Sequence, residues 1–107
     1  MKTTDLLTGV LVNATIATFD EAKIRSMCSF RNEGDAQQCG TVADMRQIEV
    51  AVNPDVCLVE GDAFECAADL YWNWGTYGSE SFATIKGRSV EDGGVLIESI
   101  DVFSCTN

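Results

Sequence analysis

Histidine is absent from the 107 residues, proline occurs once, and only seven residues are basic. Without histidine there is no imidazole general base and no His-ligated metal site. Seven Lys and Arg against seventeen Asp and Glu give a net charge of −10. A chain this acidic is repelled by nucleic acid and by anionic membrane surfaces, so neither is expected as a partner. No apolar run approaches the roughly 18–20 residues that cross a bilayer. GxGxxG, P-loop, CxxC and nucleophile-elbow patterns are all missing, and the acidic stretches 32–35 and 90–94 are too short for a calcium loop. No catalytic residue, metal or cofactor is therefore expected.

What is present is ordinary for a globular protein. Apolar residues make up 46% and charged residues 22%, enough apolar surface to offset the entropy of folding. The length fits one domain spanning 1–107. The first 17 residues have the outline of a signal peptide, but Asp5 and Asn13 interrupt it, so the segment is expected to belong to the fold.

Residues 10–19, VLVNATIATF, place Val10, Val12, Ala14 and Ile16 on one face at period two. Their β-branched content favours a strand over a helix from Thr4 carrying Leu7, Leu11 and Ala14. Asp20 is a good N-cap for a short helix over 20–30, with Ala22, Ile24, Met27 and Cys28 as its apolar stripe. Residues 31–41 read as a loop. Val42 to Val52 is a strand, Asn53-Pro54-Asp55 a turn, and Val56 to Glu60 a second strand.

The clearest alternation follows, with Phe64, Cys66, Ala68, Leu70, Trp72 and Trp74 on one face. Glu65, Ala67, Asp69, Tyr71 and Asn73 fall on the other. Gly75 to Gly78 turns the chain, 80–90 is a strand, Asp92-Gly93 signals a hairpin, and 95–104 is the last strand.

The expected fold is α+β, one short helix packed on a four- to five-stranded antiparallel meander. Its element order is similar to that of cystatin-like and small NTF2-like α+β domains. That likeness of order implies nothing about function.

Five cysteines stand at 28, 39, 57, 66 and 105. With Gly61-Asp62 as a two-residue turn, Glu60 faces Ala63, Val59 faces Phe64, Leu58 faces Glu65 and Cys57 faces Cys66. Cys57 and Cys66 then form a non-hydrogen-bonded pair, where Cα atoms lie about 4.5 Å apart and a disulfide fits. Cys28 ends the short helix and Cys39 lies in the loop after it, and a bridge between them is expected to close that loop and pin it. Cys105 is left free, or joined to Cys39, or joined to another chain. Disulfides place the protein in an extracytoplasmic space, periplasmic or secreted.

Between Arg46 and Lys86 there is no basic residue, and that stretch holds seven acids. Next to it, YWNWGTYG at 71–78 holds both tryptophans and both tyrosines. The expectation is a small binding protein, of inhibitor or immunity type, that docks a protein with a basic surface. Glu65 and Asp69 steer that partner, and Tyr71, Trp74 and Tyr77 anchor it. Two other classes fit the same residues. One is a cytosolic regulatory protein whose acidity mimics nucleic acid, with reduced cysteines. The other is a module that binds a small molecule or glycan in a pocket walled by Trp72 or Trp74.

Overall fold

The structure, a computed structural model, describes residues 3–30, 42–74 and 77–106, of which the side chains of 74, 77 and 104–106 are left aside. It is a mixed α+β fold of two helices and a six-stranded sheet. The elements are β1 (Thr3–Thr4), α1 (Leu6–Ile16), α2 (Glu21–Met27), β2 (Cys28–Phe30), a 3₁₀ turn at Val42–Asp44, β3 (Arg46–Glu60), β4 (Ala63–Trp74), β5 (Tyr77–Ser89) and β6 (Val95–Thr106). Strand order is β1-β3-β4-β5-β6-β2.

The meander β3–β6 is antiparallel throughout, as its hairpin signals require. Gly61 adopts φ 62° in the β3–β4 turn and Gly93 φ 86° in the β5–β6 turn, a region glycine enters without steric penalty. Asn53-Pro54-Asp55 does not reverse the chain. β3 runs through it, and the residues between Val52 and Cys57 bulge away from the ladder while flanking pairs stay in antiparallel register. Proline is tolerated at such a bulge because it has no N–H to give the ladder.

The N-terminal third departs most from expectation. Residues 6–16 form a helix, not a strand. Asp5 caps it by accepting hydrogen bonds from the Leu7 and Thr8 N–H groups at 3.1 and 3.3 Å. The cap satisfies orphan donors of the first turn, and that local gain outweighs the β-preference of the valines. The helix buries Thr8, Gly9, Val12 and Ile16 and leaves Leu7 67% exposed. α2 begins where expected, with Asp20 accepting from the Lys23 N–H at 2.8 Å. The chain then enters β2, which pairs in parallel with β6, so the sheet is mixed and six-stranded. Three residues give no readable periodicity. The expected 31–41 loop lies outside the described residues.

Both helices lie on one face of the sheet. α1 packs mainly on β3, and α2 on β3 and β6. Between helices and sheet lie Val12, Ile16, Ile24, Met45, Phe64, Leu70, Trp72, Ile85, Ile100 and Val102, all buried. Trp72 is 2% exposed and meets Phe30 of β2 edge-on, with ring centroids 6.1 Å apart.

The expected register of the first hairpin is observed pair by pair, and Cys57 and Cys66 are disulfide-bonded with Cα atoms 4.1 Å apart. Cys28 is a free thiol, so it makes no bridge to Cys39, which lies outside the described residues. Cys28 opens β2 opposite Ile100, and its side chain goes to the core margin.

Candidate functional site

Helices cover one face of the sheet, so the opposite face is the surface on offer. On β4 it presents Glu65, Ala67, Asp69, Tyr71 and Asn73, while Phe64, Cys66, Ala68, Leu70 and Trp72 are buried. The ladder between β4 and β5 is unbroken from Trp74↔Tyr77 to Ala63↔Arg88. β5 therefore alternates strictly. Ser79, Ser81, Ala83, Ile85 and Gly87 point inward, and Glu80, Phe82, Thr84, Lys86 and Arg88 point outward.

The inward residues of β5 are mostly small because their neighbours on β4 are large. Ser79 is the register partner of Trp72, Ser81 of Leu70, and Gly87 of Phe64. A Cβ at Gly87 would stand 2.6 Å from Phe64 Cζ and 2.0 Å from the Leu96 carbonyl oxygen. Interleaving large with small residues fills such a layer at native density. Ser81 Oγ is buried without a hydrogen-bond partner, an orphan of this packing. The consequence outside is that Phe82 faces solvent, 55% exposed, with Phe103 of β6 beside it at 6.3 Å between centroids.

Register builds rows across the outer face. Glu49, Tyr71 and Glu80 form one row over β3, β4 and β5. Ala51, Asp69, Phe82 and Phe103 form the next, and Leu58, Glu65, Lys86 and Ser99 lie farther along. Directly opposed Cβ atoms in such rows are about 4.5–5.5 Å apart. Tyr71, 41% exposed, thus sits between two carboxylates at one end of the face, and Lys86 and Arg88 occupy the other end.

A broad open groove of about 680 Å³ runs over the acidic end, lined by Gln47, Glu49, Tyr71, Asn73 and Glu80 among others. Its rim is tied to the helical layer. Gln47 takes φ 52°. Its N–H donates to the Glu21 carboxylate of α2, and Asn73 Nδ2 donates to Gln47 Oε1. Glu21 also pairs with Arg25 at 2.8 Å, and Arg25 Nε donates to the Met45 carbonyl at 3.1 Å. The Gln47 N–H, assisted by Arg25, holds the Glu21 carboxyl below its ordinary range. Burial pushes the Cys28 thiol up to about 11, against the pull of Arg25.

Of the residues singled out from sequence, Glu65, Asp69 and Tyr71 share the outer face of β4. Trp74 and Tyr77 are register partners at the end of that hairpin, and their side chains lie outside the description. Phe82, Phe103, Lys86 and Arg88 were not singled out. The signal that finds Phe82, Lys86 and Arg88 is the alternation of β5 itself, read with its small residues inward; Phe103 follows from its pairing with Phe82 across β6. Among the described residues no group of three or more Cys, Asp or Glu is arranged to hold a metal ion, and no helix is long and apolar enough to cross a membrane. No protein-family model, no curated protein and no solved structure matches the chain.

Proposed function

We propose that the chain is a non-catalytic protein-binding module that docks a partner bearing basic groups on the outer face of its sheet. The observation that carries the reading is Tyr71, exposed between Glu49 and Glu80 on three adjacent strands. A Lys or Arg seated there meets an aromatic ring and two carboxylates at once. Phe82 and Phe103 add apolar area beside that seat, as interface anchors do. The opposite face is filled by the helices, and Trp72 is spent on the core, which favours a protein surface over a small-molecule pocket. The Cys57–Cys66 bond favours an extracytoplasmic setting over a cytosolic nucleic-acid mimic.

The test is an anisotropy titration with a fluorescent peptide rich in lysine and arginine. Tyr71→Ala, Glu49→Gln and Glu80→Gln should each weaken binding about tenfold, as anchor removal does. Glu91→Gln, in the distant β5–β6 turn, should leave it unchanged. Equal loss at Glu91 would mean that only net charge matters, and the reading fails.

A further inference from the structure

We infer that the partner meets this site as an extended segment, added as a strand to the open edge of β3 and carrying basic residues at alternate positions; this rests on the docking reading above. On one side β3 has β4. On the other, β1 covers only one end of it, with Thr3 opposite Val59 and Thr4 opposite Leu58. The Asp5 N–H donates to the Cys57 carbonyl at 2.8 Å, and there the cover stops. The residues between Val52 and Cys57 bulge, and Pro54 has no N–H to offer a neighbour. That leaves Glu49–Val52, which pair regularly with β4. Among the described residues no strand lies on their other side.

The disulfide fixes which backbone groups face that side. Cys57 and Cys66 are a non-hydrogen-bonded pair, so the Cys57 carbonyl points away from β4, where Asp5 meets it. β4 alternates without a break, so Ala68 and Leu70 are oriented as Cys66 is. Their partners Val52 and Val50 therefore stand in non-hydrogen-bonded pairs as well. The N–H and C=O groups of both valines point out of the sheet edge. Among the described residues no backbone group outside the ladder pairs with them. An edge of this kind is a template for another strand.

The neighbouring side chains select the segment. A residue set opposite Val50 points to the helix-covered face. Ile48 and Val50 lie half-buried at the core margin there, so an apolar residue beside them extends the core. A residue set opposite Glu49 points to the outer face, at the head of the row Glu49, Tyr71, Glu80. Tyr71 is two strand spacings away, about 10 Å. A long cationic side chain laid along the row covers Glu49 and brings its charge to the Tyr71 ring. Arg46, at the start of β3, is turned back onto the Ala43 and Met45 carbonyls at 2.7 and 2.9 Å. No other basic residue precedes Lys86. The edge thus suits a segment that alternates basic with apolar residues.

The probe is a short peptide alternating lysine and valine, added to the whole chain and followed by fluorescence anisotropy and by NMR amide exchange. In the free protein the Val50 and Val52 amides should exchange faster than those of Glu49 and Ala51, which face β4. Saturating peptide should slow the two valines at least about tenfold. Peptides methylated on nitrogen at the valines alone, or at the lysines alone, should behave oppositely. The set whose N–H groups face β3 should lose binding, and the set facing solvent should keep it. Val50→Pro removes an outward N–H and no bond to β4, so it should weaken binding about tenfold with the far-UV circular dichroism unchanged. Valine amides indifferent to bound peptide, or two methylated peptides that bind alike, overturn strand addition. If binding then still depends on Tyr71, Glu49 and Glu80, the docking reading stands alone. Loss of that dependence removes both.

Discussion

Gly9 of α1 lies so close to Cys57 of β3 that a Cβ on it would stand 2.9 Å from the sulfur, and 2.5 Å from Pro54 Cα. The helix thus rests directly on the bulge and on the disulfide beside it. Gly9→Ala sets two effects against each other. Alanine gains up to about 1 kcal/mol of helix propensity over glycine. Overpacking against backbone costs about 1–3 kcal/mol, and Pro54 Cα is no flexible side-chain end. The variant should be less stable by about 1–2 kcal/mol, with Tm lowered by roughly 5–10 °C. A Tm equal to or above wild type in a thermal scan would show that α1 can lift off β3 at no cost.

The disulfide closes a short loop, since Cys57 and Cys66 are nine residues apart. The chain-entropy relation gives about 2–3 kcal/mol for a loop of that size. Cys57→Ser with Cys66→Ser should lower unfolding stability by at least this much in urea, because two hydroxyls replace buried sulfurs. An unchanged midpoint would mean that the hairpin register and the α1 contact fix this end of the sheet unaided.

Glu21 gives a pH signature. Its folded-state pKa lies below the ordinary 4.5. A carboxyl depressed on folding contributes stability that is fully present above its unfolded pKa and lost as pH falls through the folded one. Glu21→Gln should therefore be less stable than wild type at pH 7, with the gap narrowing as pH falls below the ordinary 4.5 toward the depressed folded value. Urea midpoints at pH 7 and pH 3 check this. A gap as wide at pH 3 as at pH 7 would place the role of Glu21 in its shape rather than its charge.

Cys28 should be inert while the protein is folded. Only the thiolate attacks alkylating agents, and a thiol pushed up to about 11 is almost wholly protonated at pH 8. The fragment Ser26–Arg31, released by trypsin, carries Cys28 as its sole cysteine. Mass spectrometry of that fragment after iodoacetamide treatment should show slow labelling of native protein and fast labelling in urea. Fast native labelling would mean that β2 leaves β6 readily.

Particular residues show what the sequence made legible. Cys57 and Cys66 were placed opposite each other because a two-residue turn fixes register, and register is arithmetic once the turn is known. The faces of β4 were legible because Phe64, Leu70 and Trp72 fall at period two with Cys66 and Ala68, while Glu65, Asp69 and Asn73 hold the alternate positions. β5 was harder. Its inward residues are small and its largest outward residue is Phe82, which inverts the usual hydrophobic pattern; only knowledge of what sits opposite on β4 explains it. The α1 segment was misread because Val12 and Ile16 fit both periods while the exposed Val10 fits only the strand, and the capping Asp5 favours the helix. The parallel pairing of β2 with β6 joins residues far apart in sequence, and no local pattern encodes it.

That pairing has a consequence for how the chain is made. The flanks of the six-stranded sheet are β1 and β2, both drawn from the first 30 residues, while the meander between them comes from later in the chain. The hairpins need only local contacts and can form early. β2 must wait for β6, which is made about 65 residues after it. Until it docks, the β6 flank offers unpaired N–H and C=O groups to any other strand. The N-terminal third therefore acts as a guard against edge-to-edge polymerisation, and it is on duty only once β6 has been made.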